Sequence, residues 1–259
     1  MKIATWNVNS LAVRLPQVLD WLAANPVEVL CLQELKLPDE KFPLQALQDA
    51  GYAHCAVFGQ KTYNGVAILS RVPLSDVRKN IDGFADEQSR VIAATLDTPL
   101  GAVRVVNGYF VNGQAPGSDK FAYKMQWLNA LRQWLAGELQ ATPALVLVGD
   151  FNITFDDRDT HDPEGLRETI HHTSQERDQF KALLALGLSD AFRLFEQPEK
   201  SYSWWDYREF AFRRNRGLRI DHILVSEPLK PHVKSCVIDK LPRKNERPSD
   251  HVPVVVALG

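Results

Sequence analysis

Short apolar runs that end in polar side chains recur along this chain. The clearest is Leu145–Ile153 (LVLVGDFNI), in which four Leu and Val residues are followed by Gly149, Asp150 and Asn152. A continuous apolar run of this length predicts a strand buried on both faces. The polar residues behind it then lie at the edge of a sheet, where loops carry chemistry. For this stretch alone, an Asx turn that only caps the strand explains the pattern equally well.

Seven other segments have the same apolar character, with turn residues around them. They predict strands at Lys2–Trp6, Val29–Leu32, Asn64–Leu69, Arg90–Leu96, Val103–Tyr109, Ile220–Val225 and Val252–Leu258. Asn7 and Glu34 follow the first two of these strands, and Tyr109 ends the fifth. Polar groups at the ends of several strands are what a shared site on one rim of a sheet requires. Taken alone, Glu34 is better explained as a solvated loop acid.

A helical spacing of apolar residues appears in three segments. It predicts helices at Ser10–Ala24, Lys120–Leu139 and Ser174–Leu186. Trp127 and Trp134, in the second helix, are typical of a helix face packed in the core. Because strands precede both helices and further strands, the element order predicts an α/β fold with mixed sheets. The polar, irregular segment Phe155–His172 is long enough to cover a site.

The composition favours a single domain in a reducing compartment. The 259 residues are 45% hydrophobic, enough for a sizeable core, and no linker divides residues 1–259. The cysteines, Cys31, Cys55 and Cys236, are scattered and odd in number, as in cytosolic proteins without a disulfide framework. No apolar run approaches the roughly 20 residues of a membrane span, and the N-terminal segment lacks a signal-peptide core. We therefore expect a soluble, cytoplasmic protein.

The net charge of −2 excludes proteins that bind nucleic acid through their overall charge. A polyanionic partner would need a local basic patch, and Ser203–Arg219 (SWWDYREFAFRRNRGLR) supplies one. Its five arginines between Arg208 and Arg219 are interleaved with aromatic residues. Such a combination suits a nucleic-acid strand, because the charges meet phosphates and the rings meet bases or sugars. A hairpin with a basic, solvated face is the alternative.

The candidate site residues are rich in oxygen ligands and lack the clustered Cys or His of a zinc site. They are the acids Glu34, Asp150, Asp221 and Asp250, the amides Asn7 and Asn152, the phenol Tyr109 and the histidine His251. Such a set selects Mg²⁺ or Mn²⁺ over zinc. A metal and a histidine beside a carboxylate are suited to hydrolysing a phosphodiester. No Ser or Cys nucleophile motif and no P-loop occurs, which argues against acyl transfer and nucleoside-triphosphate hydrolysis.

Six motifs occur in the order seen in exonuclease III-type enzymes, which are members of the endonuclease/exonuclease/phosphatase superfamily related to DNase I. They are WNVNSL at Trp6–Leu11, LQELK at Leu32–Lys36, NGYF at Asn107–Phe110, GDFN at Gly149–Asn152, NRGLRID at Asn215–Asp221 and SDH at Ser249–His251. The resemblance covers essentially the whole chain.

The resemblance implies a four-layered α/β sandwich, with two mixed β-sheets packed face to face and helices on the outside. It implies Mg²⁺-dependent cleavage of DNA phosphodiesters, with Mn²⁺ as a substitute. Family members combine abasic-site endonuclease, 3′-to-5′ exonuclease and 3′-phosphodiesterase or 3′-phosphatase activities. The expected partner is double-stranded DNA with abasic sites, nicks or blocked 3′ ends, bound by a monomer.

The resemblance also implies a role for each matching residue. Glu34 corresponds to the principal metal ligand, with Asn7 beside it and Asp250 as a further ligand. Asp150 corresponds to the group that activates or positions the attacking water, and Asn152 to a phosphate contact.

Other matches concern the phosphate and its surroundings. Tyr109 matches the tyrosine that faces the scissile phosphate. Asp221 and His251 match a paired acid and histidine, in which the acid fixes the tautomer of the ring and supports its charge. Arg90 and Asn215 resemble phosphate contacts.

The apolar pocket that receives a flipped-out abasic sugar in this family is matched by Trp204, Trp205 and Leu218. One departure concerns the loop near that sugar, where His171 replaces a small residue. An imidazole there would crowd a nucleotide leaving the helix but would let a 3′ terminus enter. Our hypothesis is that 3′-end processing is the main activity and internal abasic-site cleavage is weak or absent.

Three alternatives stay open. The first is a fully active abasic-site endonuclease of base excision repair. The second is a phosphatase or phosphodiesterase for lipids or small molecules, against which the Arg-rich stretch argues. The third, of another class, is a catalytically silent DNA-binding protein. Loss of Glu34, Asp150 or His251 would be its signature, and all of them are present.

Overall fold

Twelve strands form two sheets in the computed structural model, which describes residues 1–259. In chain order the strands are β1 (Lys2–Asn7), β2 (Val29–Gln33), β3 (His54–Phe58), β4 (Val66–Ser70), β5 (Ser75–Lys79), β6 (Val91–Thr98), β7 (Gly101–Tyr109), β8 (Leu145–Asp150), β9 (Leu188–Asp190), β10 (Asp221–Ser226), β11 (Val233–Ile238) and β12 (Val254–Leu258). The α-helices are α1 (Leu11–Ala24), α2 (Leu44–Asp49), α3 (Asp119–Ala141) and α4 (Ser174–Leu184).

The two six-stranded sheets share one design. Their strand orders are β11-β12-β1-β2-β4-β3 and β5-β6-β7-β8-β10-β9. Each sheet has one parallel pair at its centre, β1 with β2 and β7 with β8, and all other pairs are antiparallel. The carboxyl ends of the four central strands therefore lie beside the starts of their antiparallel neighbours β10 and β12. This rim collects the polar residues that follow the apolar runs.

The sheets pack face to face, and helices cover their outer faces. On β8, Val146 and Val148 point into the cluster between the sheets, whereas Leu145 and Leu147 point towards α3 and α4. A third cluster packs α1 and α2 against the first sheet. Burying each Val or Leu completely contributes about 1.5–3 kcal/mol, so strands apolar on both faces are held in place from both sides. The predicted four-layered α/β sandwich is confirmed.

The predicted strands and the three predicted helices are present, with ends that differ by up to about two residues. Trp127 and Trp134 are buried, as expected of core residues. The sequence pattern missed α2 and the strands β3, β5, β9 and β11. All five residues of β5 are exposed, so that strand has no apolar pattern to detect. No helix of this chain combines the length and the apolar character needed to span a bilayer.

Candidate active site

Polar residues from both sheets meet at this shared rim. The side-chain Nδ2 of Asn7, at the end of β1, donates to Glu34 Oε1 at 3.0 Å and to Asp150 Oδ2 at 2.9 Å. One amide therefore joins the segment after β2 to the end of β8, across the two sheets. We call Asn7, Glu34, Asp150, Asp221 and His251 the acidic cluster.

Two glycines let β7 and β8 approach closely where Asp150 emerges. Gly149 has φ 145°, and a Cβ there would lie 1.8 Å from the carbonyl oxygen of Gly108, its partner on β7. Any larger side chain would push the strands apart. The glycine that ends the apolar run thus sets the position of Asp150 next to Tyr109.

A histidine and an acid form the second half of the acidic cluster. His251 precedes β12, and its Nδ1 lies 2.9 Å from Asp221 Oδ2, at the start of β10. Because the carboxylate accepts, His251 carries a proton on Nδ1. The Ser203 hydroxyl also donates to Asp221 Oδ2, at 2.7 Å. The other ring nitrogen of His251, Nε2, lies 3.7 Å from Asp150 Oδ2.

Burial and neighbouring charges change the pKa of both partners of this arrangement. Burial raises the pKa of Asp150 to about 7, although the nearby His251 opposes the change. Burial alone would lower the pKa of His251, but the carboxylates of Asp221 and Asp150 outweigh it and raise that pKa to about 10. The site therefore pairs a carboxyl poised near neutral pH with an imidazolium, which suits proton transfer beside a phosphate.

Tyr109 places a hydroxyl group at the same site. Burial, followed by the charge of Glu34, raises the pKa of Tyr109 well above its usual value. The phenol therefore stays protonated and serves as a hydrogen-bond donor. The Arg90 guanidinium lies over its ring, 5.0 Å from the centroid, and is held by Gln88 Oε1 at 2.6 Å.

Asn152 donates to the Asp150 carboxylate and is itself held by neighbouring residues. Its backbone N–H donates to Asp150 Oδ1 at 3.0 Å, and its Nδ2 donates to the Phe110 carbonyl at 3.0 Å. The Asn112 amide donates to Asn152 Oδ1 at 3.3 Å. Asn152 has φ 51°, a left-handed conformation that asparagine tolerates better than most residues. The turn after β8 is therefore built to hold the Asp150 carboxylate.

A divalent cation fits the centre of the acidic cluster. Glu34 and Asp150 each offer a carboxylate oxygen, and these oxygens and a nitrogen of the protonated His251 ring all lie within 4.8 Å of one another. Two carboxylates form a hard, anionic donor set. Asp250 lies outside this group, and its oxygens accept hydrogen bonds from Asn9 Nδ2 and Trp204 Nε1, each at 2.9 Å.

A cavity of about 590 Å³ is joined to the acidic cluster through Trp204, which lines the cavity and pairs with His251 along the backbone. His171, Trp204 and Leu218 line it. Trp205 is fully buried behind the cavity, where its ring N–H donates to Asn215 Oδ1 at 3.1 Å. The Asn215 Nδ2 donates to the Lys200 carbonyl at 3.1 Å, so both ends of that amide have partners within the protein.

His171 is held firmly at the wall of this cavity. It has φ 71°, a conformation that favours glycine, and its Nδ1 lies 2.6 Å from the Asn152 carbonyl oxygen. A carbonyl only accepts, so the Nδ1 of His171 carries a proton. Burial lowers the pKa of His171 well below its usual value, and the ring is therefore neutral at neutral pH.

Sequence reasoning missed several residues that complete the site. Ser203 holds Asp221, Asn112 holds Asn152, and Lys36 forms a salt bridge with Glu34 at 2.9 Å. Lys36 and Ser203 lie within or beside the stretches singled out from the sequence. As common polar loop residues, they carry no periodic signal of their own.

Comparisons with known proteins find a matching family model and several similar proteins. The family model described as "Endonuclease/Exonuclease/phosphatase family" matches residues 4–251. "Exodeoxyribonuclease III" of Haemophilus influenzae is 35% identical over 98% of both chains. The solved structure of the 3′ phosphatase NExo from Neisseria, bound to product DNA hairpin, is 50% identical with a TM-score of 0.96, covering 100% of this chain and 99% of that one. An AP endonuclease structure from Archaeoglobus fulgidus is 36% identical with a TM-score of 0.94, at the same coverage.

Proposed function

This chain belongs to the endonuclease/exonuclease/phosphatase family, and we propose that it is a Mg²⁺-dependent DNA-repair nuclease that works mainly on 3′ ends. Its substrates are then double-stranded DNA with nicks, 3′-phosphates or other blocked 3′ termini, with 3′-to-5′ exonuclease activity alongside. It acts as a single domain and a monomer in the cytoplasm, where its unpaired cysteines Cys31, Cys55 and Cys236 stay reduced.

The observation that carries the preference for 3′ ends is the anchored His171 ring. An abasic nucleotide inside a strand must leave the helix and enter the cavity beside Trp204 and Leu218. The ring lines that cavity, and its hydrogen bond to the Asn152 carbonyl opposes rotation of the side chain. A 3′-phosphate at a nick has no downstream nucleotide to extrude, so the same ring leaves it unhindered.

The acidic cluster supplies the chemistry. Glu34 would hold the cation with Asn7 beside it, and the bound ion would neutralise charge on the phosphate. Asp150, with its pKa near 7, takes the proton from the attacking water. His251, protonated and held by Asp221, stabilises negative charge that develops on the phosphate oxygens. Tyr109 donates its hydroxyl hydrogen to the same group.

The surface beyond the cavity is basic. Arg208, Arg213, Arg214 and Arg216 are exposed there, while the chain as a whole carries a net charge of −2. Concentrated charge of this kind favours a DNA backbone over a small phosphorylated molecule.

The test compares two labelled duplexes in Mg²⁺, one with an internal abasic-site analogue and one with a 3′-phosphate at a nick. We expect the wild type to process the 3′-phosphate at least about tenfold faster. His171→Gly should gain internal cleavage, because glycine suits φ 71° and empties the wall of the cavity. His161→Ala is the matched control, since His161 lines the same cavity but binds the Gly217 carbonyl instead.

Equal rates of the wild type on both duplexes would contradict the preference and favour a fully active abasic-site endonuclease. The similarity to the Archaeoglobus fulgidus AP endonuclease supports that second candidate function. A chelator completes the test. Activity that survives chelation would contradict the metal-dependent mechanism, and activity that is absent throughout would favour a DNA-binding protein.

A further inference from the structure

A fully buried ion pair lies directly behind the active-site loops. Lys124 of α3 and Glu176 of α4 form a salt bridge, and both side chains are 0% exposed. Desolvation lowers the pKa of Lys124, which shows that its charge is disfavoured by burial alone. A buried ammonium persists only when its donors are satisfied. The acceptors that satisfy it lie next to the acidic cluster.

Lys124 fixes the turn that holds Asp150. Its Nζ donates to the Asn152 carbonyl at 2.8 Å and to the Asn112 carbonyl at 3.2 Å, and the third donor goes to Glu176. All three hydrogens of the ammonium are thereby used. Asn152 in turn donates its backbone N–H to Asp150, and Asn112 holds the Asn152 side chain. Lys124 therefore acts on Asp150 through both asparagines.

Glu176 fixes the segment that carries the cavity histidine. Its Oε1 accepts the backbone N–H of His171 at 3.1 Å, and its Oε2 accepts the Thr173 N–H at 3.1 Å. The ring of His171 shares an acceptor with Lys124, because both donate to the Asn152 carbonyl. The ion pair thus connects the wall of the cavity to the turn beneath Asp150.

The packing around Lys124 leaves little freedom. A Cβ on the neighbouring Gly113 would lie 2.9 Å from its Cδ and 3.1 Å from Ile170 Cδ1. A cationic group enclosed this tightly has a fixed position, so the carbonyl groups that it binds are fixed as well.

We propose that Lys124 and Glu176 are a positioning pair that holds Asn152 and His171 in one rigid unit, so that catalytic geometry and access to the cavity are set together. Neither residue touches the reacting atoms. Their effect on the reaction passes through Asn152, which orients Asp150, and through the backbone of His171.

The first test is Lys124→Met, measured as separate kcat and KM values. Leu131→Ala is the matched control, because Leu131 is a fully buried residue of the same helix that packs only in the core. Both variants are assayed at temperatures that give equal folded fractions. We expect kcat of Lys124→Met to fall about tenfold with KM changed less than about twofold, as for a misplaced catalytic group. A fall no larger than that of Leu131→Ala would overturn the proposal.

The second test uses variants that avoid an unpaired buried charge. Lys124→Met combined with Glu176→Gln removes both charges, so no buried charge is left unpaired, and the glutamine oxygen keeps an acceptor for one of the His171 and Thr173 N–H groups. We expect this variant still to lose kcat about tenfold. The double variant Lys124→Met/His171→Gly tests whether the two residues are coupled. Its kcat should differ by at least about threefold from the value expected by multiplying the two single-variant effects, because both side chains bind the Asn152 carbonyl. Multiplicative effects would overturn the proposal.

The part of this inference that concerns the cavity rests on the proposed preference for 3′ ends, and the two can fail separately. The kcat values are taken on whichever duplex the wild type cuts faster. A wild type that cuts both equally contradicts the preference alone. An undiminished kcat in Lys124→Met contradicts the positioning pair alone.

Discussion

The NRGLRID stretch contributes one residue to each of two buried clusters of charged side chains, and the two clusters differ in how their charges are balanced. Arg219 joins an ion-pair cluster with Asp159, Asp190 and Arg193, whereas Asp221, two residues later, joins the acidic cluster. Arg219 binds Asp159 Oδ1 at 2.7 Å and Asp190 Oδ2 at 2.7 Å, and its side chain is 1% exposed. Arg193 adds a second contact to Asp159.

The two clusters differ in charge balance. The ion-pair cluster holds two arginines and two aspartates, so each buried charge has a counter-charge. The acidic cluster holds three carboxylates, Glu34, Asp150 and Asp221, with one imidazole, and Lys36 pairs with Glu34 at its edge, so one carboxylate lacks a counter-charge of its own. The pKa values respond in opposite directions. Burial would raise the pKa of Asp159, but Arg219 outweighs it and lowers that pKa, whereas burial raises the pKa of Asp150 to about 7. A balanced cluster stabilises the fold, and an unbalanced one prepares a site for a cation and a proton.

Neutralising an acid of the unbalanced acidic cluster should lower activity strongly without lowering stability. We expect Asp150→Asn to lower kcat about 10²–10⁴-fold, the range for losing a positioned proton acceptor. Its free energy of unfolding without metal should stay equal or rise at pH 8, because a buried carboxylate with a raised pKa is destabilising when ionised. Urea unfolding and kcat measurements check this. A stability loss comparable to that of Arg219→Met would contradict the comparison.

Breaking the balanced cluster should have the opposite outcome. Arg219→Met leaves Asp190 buried without a counter-charge and Asp159 with Arg193 alone, so we expect a loss of about 3–5 kcal/mol in the free energy of unfolding. Arg213→Met is the control, since Arg213 is exposed in the Ser203–Arg219 stretch that also contains Arg219 and should change stability by less than about 0.5 kcal/mol. If urea unfolding gave Arg219→Met the same free energy of unfolding as the wild type, the ion-pair cluster would contribute nothing to stability.

A divalent cation should stabilise only through the acidic cluster. At 100 times its dissociation constant, Mg²⁺ should add about 2.7 kcal/mol to the free energy of unfolding, because it binds the folded state selectively. Glu34→Gln should weaken that effect, whereas Asp159→Asn should leave it intact. Thermal unfolding with Mg²⁺ and with a chelator measures the difference. An equal loss in both variants would contradict the assignment of the site.

The pH dependence of stability should have opposite signs in the two clusters. Asp159 has a depressed pKa in the folded state, so its contribution to stability is complete above the unfolded value of about 3.9 and is lost as the pH falls towards the folded pKa. Asp150 has a raised pKa, so metal-free stability should fall as the pH rises from about 4 to about 7. Asp159→Asn should flatten the acid side of the profile, and Asp150→Asn the neutral side. The free energy of unfolding, measured without metal from pH 2 to 8 for the wild type and both variants, checks these slopes. A slope of the opposite sign on either side of the profile would contradict the comparison.

Much of the fold was predictable because its strands are apolar on both faces. The apolar run at the start of Leu145–Ile153 predicts a buried strand with chemistry at its end, and β8 (Leu145–Asp150) has that form. Residues of β5, by contrast, are all exposed, and only Val233 and Cys236 of β11 are buried, so neither strand had a continuous apolar run. The His171 hypothesis came from the resemblance to a known family rather than from periodicity, and it stays a prediction.

The sequence by itself determined which strands are buried and which polar residues end them, because apolar runs and the glycines behind them act locally along the chain. It also supplied the residue types of the acidic cluster through six ordered motifs. Tertiary structure decided how each side chain is used. The oxygens of Asp250 bind Asn9 and Trp204, and Trp205 lies behind the cavity, although it is adjacent to Trp204 in the chain. Hydrogen bonds between residues more than 100 positions apart, such as Asn7 with Asp150, depend on how the sheets pack, and local sequence pattern carries no record of that.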